Sequence, residues 1–138
     1  MNSRYLCRGK RLDNGEWIEG YYYNIQENTT KHYILCYKSN TFHIMNVTKT
    51  IHEIDPKTIG QCTGIEDRNC KLIFEGHILR MAGVEHIGVV EWHEYEYLIV
   101  LHGEDTPFDN VLDFDFDDYN DIEIIGNIHD NPELLESE

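Results

Sequence analysis

The chain has 138 residues, of which 41 % are hydrophobic and 12 % aromatic. That length and apolar content suffice for the core of a single domain and exclude an intrinsically disordered chain. With 26 Asp and Glu against 11 Lys and Arg, the formal net charge is −15. Such a charge argues against direct binding to nucleic acid or an anionic membrane and favours basic partner surfaces.

The acidic charge is concentrated in the C-terminal part of the sequence. Residues 1–80 contain all 11 basic residues and 9 acidic ones, whereas residues 81–138 contain 17 acidic residues and neither Lys nor Arg. Two interpretations stay open: the charge keeps the protein soluble, or it attracts a basic partner.

The sequence also predicts the compartment. The N-terminus lacks the apolar core of a signal peptide, and no stretch approaches the roughly 20 apolar residues that span a bilayer. The four cysteines form no C-x-x-C pair. We therefore expect a cytoplasmic protein with reduced thiols.

The first predicted element is a β-hairpin. Two apolar runs, residues 5–12 and 17–25, flank the segment Asp13-Asn14-Gly15-Glu16. Asn-Gly is a strong hairpin signal because both turn residues tolerate positive φ.

Two short strands and a proline follow this hairpin. Residues 32–37 and 42–47 have the composition of strands. Asp55-Pro56 ends the region, since the residue before proline is restricted to extended geometry. We expect the seam between two halves of the chain at this point.

The second half begins with residues 58–79. Two glycines, a polar cluster and an apolar run closed by Glu75-Gly76 indicate a bend, a turn and a strand. Residues 84–92 and 95–101 are predicted to form another hairpin around His93-Glu94.

The remaining residues contain one ambiguous segment. Apolar residues alternate with Asp over 111–120, which has the period of a strand, although a short helical turn is the alternative. Residues 122–128 are a predicted strand, and Asn131-Pro132-Glu133 is typical of a helix start with Asn as N-cap. Seven or eight short strands with frequent turns predict a mainly β fold, either a small barrel or a sandwich, with only short helical pieces.

The central region contains three ordered segments: Gly60-Gln61-Cys62-Thr63-Gly64-Ile65, Asp67-Arg68-Asn69-Cys70-Lys71 and Ile73-Phe74-Glu75-Gly76-His77-Ile78. They resemble the YopX family of bacteriophage and prophage proteins, whose members carry a segment of the form G-Q-Y-T-G-L, D-x-N-G-K, I-[FY]-E-G-D-I. The first residues of the chain and residues 125–135 also resemble that family. The motif residues that we single out are Gly60, Gln61, Thr63, Gly64, Phe74, Glu75 and Gly76.

The resemblance implies a fold but no chemistry. It implies one YopX-like domain over 1–138, with a β-hairpin subdomain at 1–55 and an SH3-like barrel at 56–138, in the host bacterial cell. No activity or cofactor follows from it, because no activity is established for the family.

Two residues depart from the family pattern. Cys70 stands where the family usually has Gly, and a Cβ at positive φ costs about 1 kcal/mol, so we expect a looser or different turn. His77 stands where the family has Asp, which puts in doubt any role of that carboxylate.

The sequence predicts no metal site or other cofactor. Cys62, Cys70 and His77 lack the close spacing of paired zinc ligands. The segment 113–117 resembles the start of a calcium loop, but Asp118 replaces the glycine of the sharp turn and Ile124 replaces the bidentate glutamate.

An N-terminal cluster has the composition of a surface that binds phosphate or stacks on bases. An amphipathic hairpin with a charged outer face is the alternative interpretation. The residues are Arg8, Lys10, Arg11, Trp17 and Tyr22.

No motif of nucleophilic, phosphate-binding or zinc-dependent catalysis occurs, so we expect a protein that is not an enzyme. Three functions stay open: a binding and assembly module that engages itself and a host or phage protein, an acidic decoy that imitates DNA, and a trap for a small anionic ligand such as a nucleotide. The acidic interaction surface would comprise Asp113, Asp115, Asp117 and Asp118.

Aromatic residues in the strands favour the first of these functions. Tyr21 to Tyr23 place aromatic side chains on both faces of one strand, so one face needs cover from outside the local sheet. We therefore expect a homo-oligomer. Trp17 and Trp92 lie among apolar strand residues and are expected to be at least partly buried.

Overall fold

The computed structural model describes residues 5–39, 47–82, 86–94, 96–102, 111–113 and 121–136. Strands and turns make up this part, and no α-helix is found in it, which confirms the predicted mainly β class. The strands are β1 (Cys7–Lys10), β2 (Trp17–Gln26), β3 (Thr30–Ser39), β4 (Val47–Glu53), β5 (Gly60–Glu66), β6 (Leu72–Phe74), β7 (His77–Met81), β8 (Ile87–His93), β9 (Glu96–His102), β10 (Val111–Asp113) and β11 (Ile122–Asn127). Among the described residues, no helix has the length and apolar character needed to cross a membrane.

The chain divides into two compact units, Met1–Gln61 and Cys62–Glu138. Asp55 has the extended backbone expected before proline, with φ −74° and ψ 115°, and a 3-10 turn follows at Pro56–Thr58. The backbone therefore changes direction where the sequence predicts a seam. The assignment of residues 1–138 to one domain stays a prediction.

In the first unit the strands lie in the order β4-β3-β2-β1, all antiparallel, and the first residues of β5 pair with β1. The predicted N-terminal hairpin is confirmed, since Lys10 pairs with Trp17 and Gly15 in the turn has a φ of 74°. Most of β4 was missed from the sequence. The strand predicted over 42–47 lies outside the described residues except for Val47, where β4 begins.

The core of the first unit lies on one face of this sheet. Ile34 and Ile54 are fully buried there, and they pack where β1 and β2 carry glycines. A Cβ at Gly20 would lie 2.2 Å from the backbone oxygen of Leu35, so only glycine allows the strands to approach this closely. The end of β1 also bonds to the end of β4, because Leu12 N–H donates to Glu53 O at 3.0 Å.

In the second unit β5 pairs with β6, and a five-stranded antiparallel sheet has the order β10-β9-β8-β7-β11. A cluster of packed, buried side chains in this unit comprises Ile73, Leu79, Met81, Val90, Ile99, Leu101 and Ile122. The described residues contain no closed barrel, so the SH3-like form of this unit is not shown.

The second predicted hairpin is confirmed with shifted boundaries. Strands β8 and β9 pair from Ile87↔His102 to His93↔Glu96. Glu94 has a φ of 56°, so this turn residue lies in the left-handed region although it is neither Gly nor Asn. Within the ambiguous segment, residues 111–113 form strand β10 beside β9, and 114–120 lie outside the described residues.

The C-terminal turn corrects one detail. A 3-10 turn is present at Pro132–Leu135, but Asn131 makes no side-chain cap bond to it. Its Oδ1 instead accepts from Asn127 N–H at 3.2 Å. A Cβ on Gly126 would lie 2.6 Å from that oxygen. The predicted N-cap therefore stabilises the end of β11 and not the helical turn.

Candidate binding surface

Strand alternation divides the side chains of the first sheet between two faces. One face carries the buried core residue Ile34. The opposite face carries a continuous group of aromatic and aliphatic side chains, which we call the aromatic face, and the charged residues Glu19, Lys31 and Glu53 lie on the same side of the sheet. The aromatic face consists of Trp17, Tyr21, Tyr23 and Ile25 from β2, Tyr33 and Leu35 from β3, and Ile51 from β4.

Two isoleucines of the aromatic face are largely exposed. Ile25 exposes 44 % of its surface and Ile51 exposes 54 %. Between them, Tyr23 and Tyr33 are cross-strand partners whose rings stack with centroids 5.3 Å apart. A contiguous exposed apolar surface of this kind is typical of a site that contacts another molecule.

Cations lie along one border of the aromatic face. The guanidinium carbon of Arg8 is 3.8 Å from the centroid of the Trp17 ring, and Lys10 Nζ is 5.4 Å from it. Lys10 is the cross-strand partner of Trp17, while Arg8 is the partner of Glu19. The Trp17 ring is therefore half-buried beneath cations, which confirms the expected partial burial.

The other two residues of the predicted ligand surface lie elsewhere. Arg11 forms two hydrogen bonds with Asp13, at 2.9 and 2.6 Å; this contact raises the pKa of Arg11 and lowers that of Asp13. Tyr22 lies on the core face of its strand, where its hydroxyl is 2.6 Å from His32 Nδ1. The structure therefore brings together Arg8, Lys10 and Trp17 only.

A pocket extends the aromatic face beyond the ends of β2 and β3. It has a volume of about 300 Å³ and is lined by Ile25, Glu27, Asn28, Thr29, Lys31 and Tyr33. No motif marks this segment, so the pocket was not predicted from the sequence. Lys31 is the cross-strand partner of Ile25, so it adds a third cation beside the aromatic face.

Several residues of the family motif have structural roles, whereas Gln61 and Gly64 are exposed. Thr63 is buried and its hydroxyl donates to Ile73 O at 2.8 Å. Phe74 is also buried. Gly64 and Gly76 have φ values of 83° and 91°, which explains glycine at both positions. Gly76 N–H donates to Val90 O at 2.9 Å, so the motif joins neighbouring strands.

Asp67 is the buried carboxylate within the matched segments. Its Oδ1 accepts from Asn69 N–H at 2.8 Å and Lys71 N–H at 3.0 Å. Its Oδ2 accepts from Ile124 N–H at 3.1 Å. Burial alone raises the pKa of this group, but the three N–H donors and the Lys71 charge outweigh it, and the pKa is lowered. Arg68 N–H also donates to Ile122 O at 2.8 Å, so the turn covers the outer edge of β11.

Both residues that depart from the family pattern take part in hydrogen bonds. Cys70 has a φ of 63°, and its N–H donates to Asp67 O at 3.0 Å, so a residue with a Cβ occupies the left-handed region in this turn; whether the turn is looser than in the family stays a prediction. His77 is buried, and its Nδ1 accepts from Phe74 N–H at 2.9 Å. The imidazole therefore supplies an acceptor in the position where the family has a carboxylate.

Of the four aspartates of the predicted acidic surface, only Asp113 lies among the described residues. Asp113 ends β10, whereas Asp115, Asp117 and Asp118 lie outside the described residues. Within the described part of the chain, no cluster of three or more His, Cys, Asp and Glu side chains could hold a metal ion. Cys7, Cys36, Cys62 and Cys70 form no disulfides there.

Comparisons with known proteins identify the family of this chain. A search of curated proteins found no match. Among solved structures, the crystal structure of protein EF1440 from Enterococcus faecalis is similar, with 24 % identity and a TM-score of 0.47, over 94 % of this chain and 96 % of that one. The family model described as YopX protein matches residues 7–136. This match covers nearly all of the chain, so the protein belongs to the YopX family.

Proposed function

We propose that the protein is a non-enzymatic binding and assembly module of a bacteriophage or prophage, acting in the bacterial cytoplasm. The exposed aromatic face, with Ile25 and Ile51 at its two ends, is the observation that carries this proposal. Its partners are a second copy of the chain and a host or phage protein. Aromatic side chains beside cations are enriched at the centres of protein interfaces.

The charges near the aromatic face favour a protein partner over a small anion. Arg11 is bonded to Asp13, and the other cations are spread along β2, with Arg8 and Lys10 beside Trp17 and Lys31 opposite Ile25. These cations therefore do not converge on one point. A trap for a nucleotide needs several cations directed at one phosphate group.

The buried polar groups support a role without catalysis. The Asp67 carboxylate accepts three backbone hydrogen bonds, and His77 Nδ1 accepts one. A general base needs a lone pair directed at substrate, whereas these lone pairs are directed at backbone N–H groups inside the second unit.

An acidic decoy is a second candidate, favoured by charge. Residues 62–138 carry 20 Asp and Glu against 3 Lys and Arg. In this function Asp113, Asp115, Asp117 and Asp118 present a charge array to a nucleic-acid-binding protein. Changing all four to Asn would then weaken capture of a basic partner at low salt, and the difference would shrink as salt rises.

The proposal includes a small SH3-like barrel for residues 56–138. The consecutive antiparallel pairing of β7, β8, β9 and β10 supports it, since such a meander is a component of small barrels. An experimental structure in which this sheet stays open would refute the barrel without affecting the binding proposal.

The mass in solution tests the proposal most simply. We expect sedimentation to give a mass well above the monomer's 16.3 kDa and the double variant Ile25→Ser/Ile51→Ser to be monomeric. Leu12→Ser is the matched control, because Leu12 is another exposed aliphatic residue that does not belong to the aromatic face. A wild-type protein that stays monomeric at high concentration and captures no host protein would overturn the proposal.

A further inference from the structure

The tip of the β8–β9 hairpin carries an exposed tryptophan. On the core face of these strands, the pair Val90↔Ile99 is buried and the next pair toward the tip is Trp92↔Tyr97. Trp92 exposes 47 % of its surface and meets the Tyr97 ring edge-on, with centroids 4.7 Å apart. The hairpin therefore extends its apolar face beyond the core, and Trp92 is less buried than the sequence suggests.

Glutamates surround this tip. Three of the residues 91–96 are Glu, and none is Lys or Arg. The Glu91 side chain contacts His93 Nε2 at 2.9 Å, while Glu94 and Glu96 are exposed. The tip thus combines an exposed aromatic ring with negative charge.

The aromatic face has the opposite character. It is bordered by the three cations Arg8, Lys10 and Lys31, against the two glutamates Glu19 and Glu53 on the same side of the sheet. The unit that contains it carries 8 Lys and Arg against 6 Asp and Glu. Contact between the second units of two copies would bring a charge of −17 against −17. Contact between the first unit of one copy and the second unit of another is the electrostatically favoured arrangement.

From this complementarity we infer that copies of the chain associate head to tail, with the Trp92 hairpin of one copy docked on the aromatic face of the next. This inference rests on the proposed assembly function and specifies its partner. In this contact Trp92 packs on the aromatic face between the exposed Ile25 and Ile51, and the glutamates of the tip meet the cations of the face. Such a contact is heterologous, so it produces a ring if it closes and a filament if it does not.

Complementary variants test the arrangement. The face variant is Ile25→Ser/Ile51→Ser and the hairpin variant is Trp92→Ala. Each should be monomeric alone, because each lacks one half of the contact. An equimolar mixture should form a dimer of one copy each, since the intact hairpin of the face variant can dock on the intact face of the hairpin variant. Loss of a central tryptophan is expected to weaken the contact about 30-fold or more.

A charge variant tests the same contact without removing Trp92, in case the hairpin variant does not fold. Glu94→Lys/Glu96→Lys keeps Trp92 and changes only exposed side chains, so thermal unfolding should be unaltered. It should still weaken association at low salt, with a smaller difference from wild type at high salt.

The outcomes separate this inference from the proposed function. If the hairpin variants assemble like wild type while the face variant does not, the aromatic face is the interface and the head-to-tail arrangement is wrong. If the mixture stays monomeric although each variant is folded, the contact is symmetric and the inference is again overturned. A wild-type protein that does not self-associate contradicts the inference alone, provided that it captures a host protein through the aromatic face.

Discussion

The two units differ in how a boundary of their sheet is treated: the Asp67 turn covers a sheet edge, whereas the aromatic face leaves one face of a sheet exposed. In the second unit, Asp67 and Arg68 bond to Ile124 and Ile122 and cover the outer edge of β11. In the first unit, a whole sheet face keeps Ile25 and Ile51 exposed. An uncovered edge or face is a liability unless it binds something. The difference indicates that Asp67 and its neighbours in the family motif maintain the fold, and it agrees with the proposal that binding takes place on residues outside the motif.

The largest effect on stability is expected when the Asp67 carboxylate is removed. In Asp67→Ala, three backbone N–H groups lose their acceptor in a buried site, and the free energy of unfolding should fall by about 3 kcal/mol or more. The edge of β11 also loses its cover, so the variant should aggregate more readily. Chemical denaturation measures the first effect.

Glu66→Ala is the control for that experiment. Glu66 is the neighbouring acidic residue and is exposed, so its loss should change stability by no more than about 0.5 kcal/mol. Equal effects of the two substitutions would show that the Asp67 contacts do not stabilise the second unit.

Substitutions of His77 test whether this residue of the matched segments stabilises the fold. His77→Leu leaves Phe74 N–H without its acceptor inside the core and should cost about 1–3 kcal/mol. His77→Asn should cost less, because the Asn Oδ1 can occupy the position of Nδ1 and accept the same bond. Thermal unfolding of both variants distinguishes lost hydrogen bonding from lost volume; a larger loss in the Asn variant would contradict the assigned role.

Acid should weaken the Asp67 turn selectively. Hydrogen bonds lower the folded-state pKa of Asp67 below its ordinary value of 3.8, so its stabilisation is present above that value and is lost as pH falls through the lower, folded-state pKa. Asp67→Asn should therefore show a shallower loss of stability below about pH 4 than wild type. Parallel stability curves for the two proteins would contradict the lowered pKa.

The smallest effect on stability is expected on the aromatic face. Ile51→Ser removes an exposed side chain, so the free energy of unfolding should change by less than about 1 kcal/mol, while assembly is lost. Sedimentation and thermal unfolding of the same sample measure both. A large drop in stability together with dissociation would mean that Ile51 acts through the fold and not through binding.

Local signals in the sequence predicted the fold better than the candidate surface. Asn14-Gly15 marked the first hairpin, and the glycines at 64 and 76 marked bends, because these residues report the local backbone directly. Cys70 shows the limit of such signals, since it has a positive φ although it is not a residue type that marks such geometry. The strand β4 was missed because its polar and charged residues hide the alternation.

The composition of the candidate surface depends on strand register, which is a long-range property. A shift of one residue exchanges the two faces of a strand, so neither the separation of Tyr22 from Trp17 nor the grouping of Ile51 with Ile25 follows from sequence spacing. The pairing of Arg11 with Asp13 likewise depends on turn geometry. Composition alone therefore predicted a single ligand surface, whereas the strand register places its residues on different faces of the sheet.

Side-chain footprinting with hydroxyl radicals, at low and high protein concentration, tests the central claim most directly. The account predicts that oxidation of Tyr23, Tyr33 and Ile51 falls as the protein assembles. Oxidation of Tyr5 and Leu12, which are exposed elsewhere, should not change. An assembled protein in which the aromatic face is oxidised as readily as in the dilute sample would contradict the claim that this face is the binding surface.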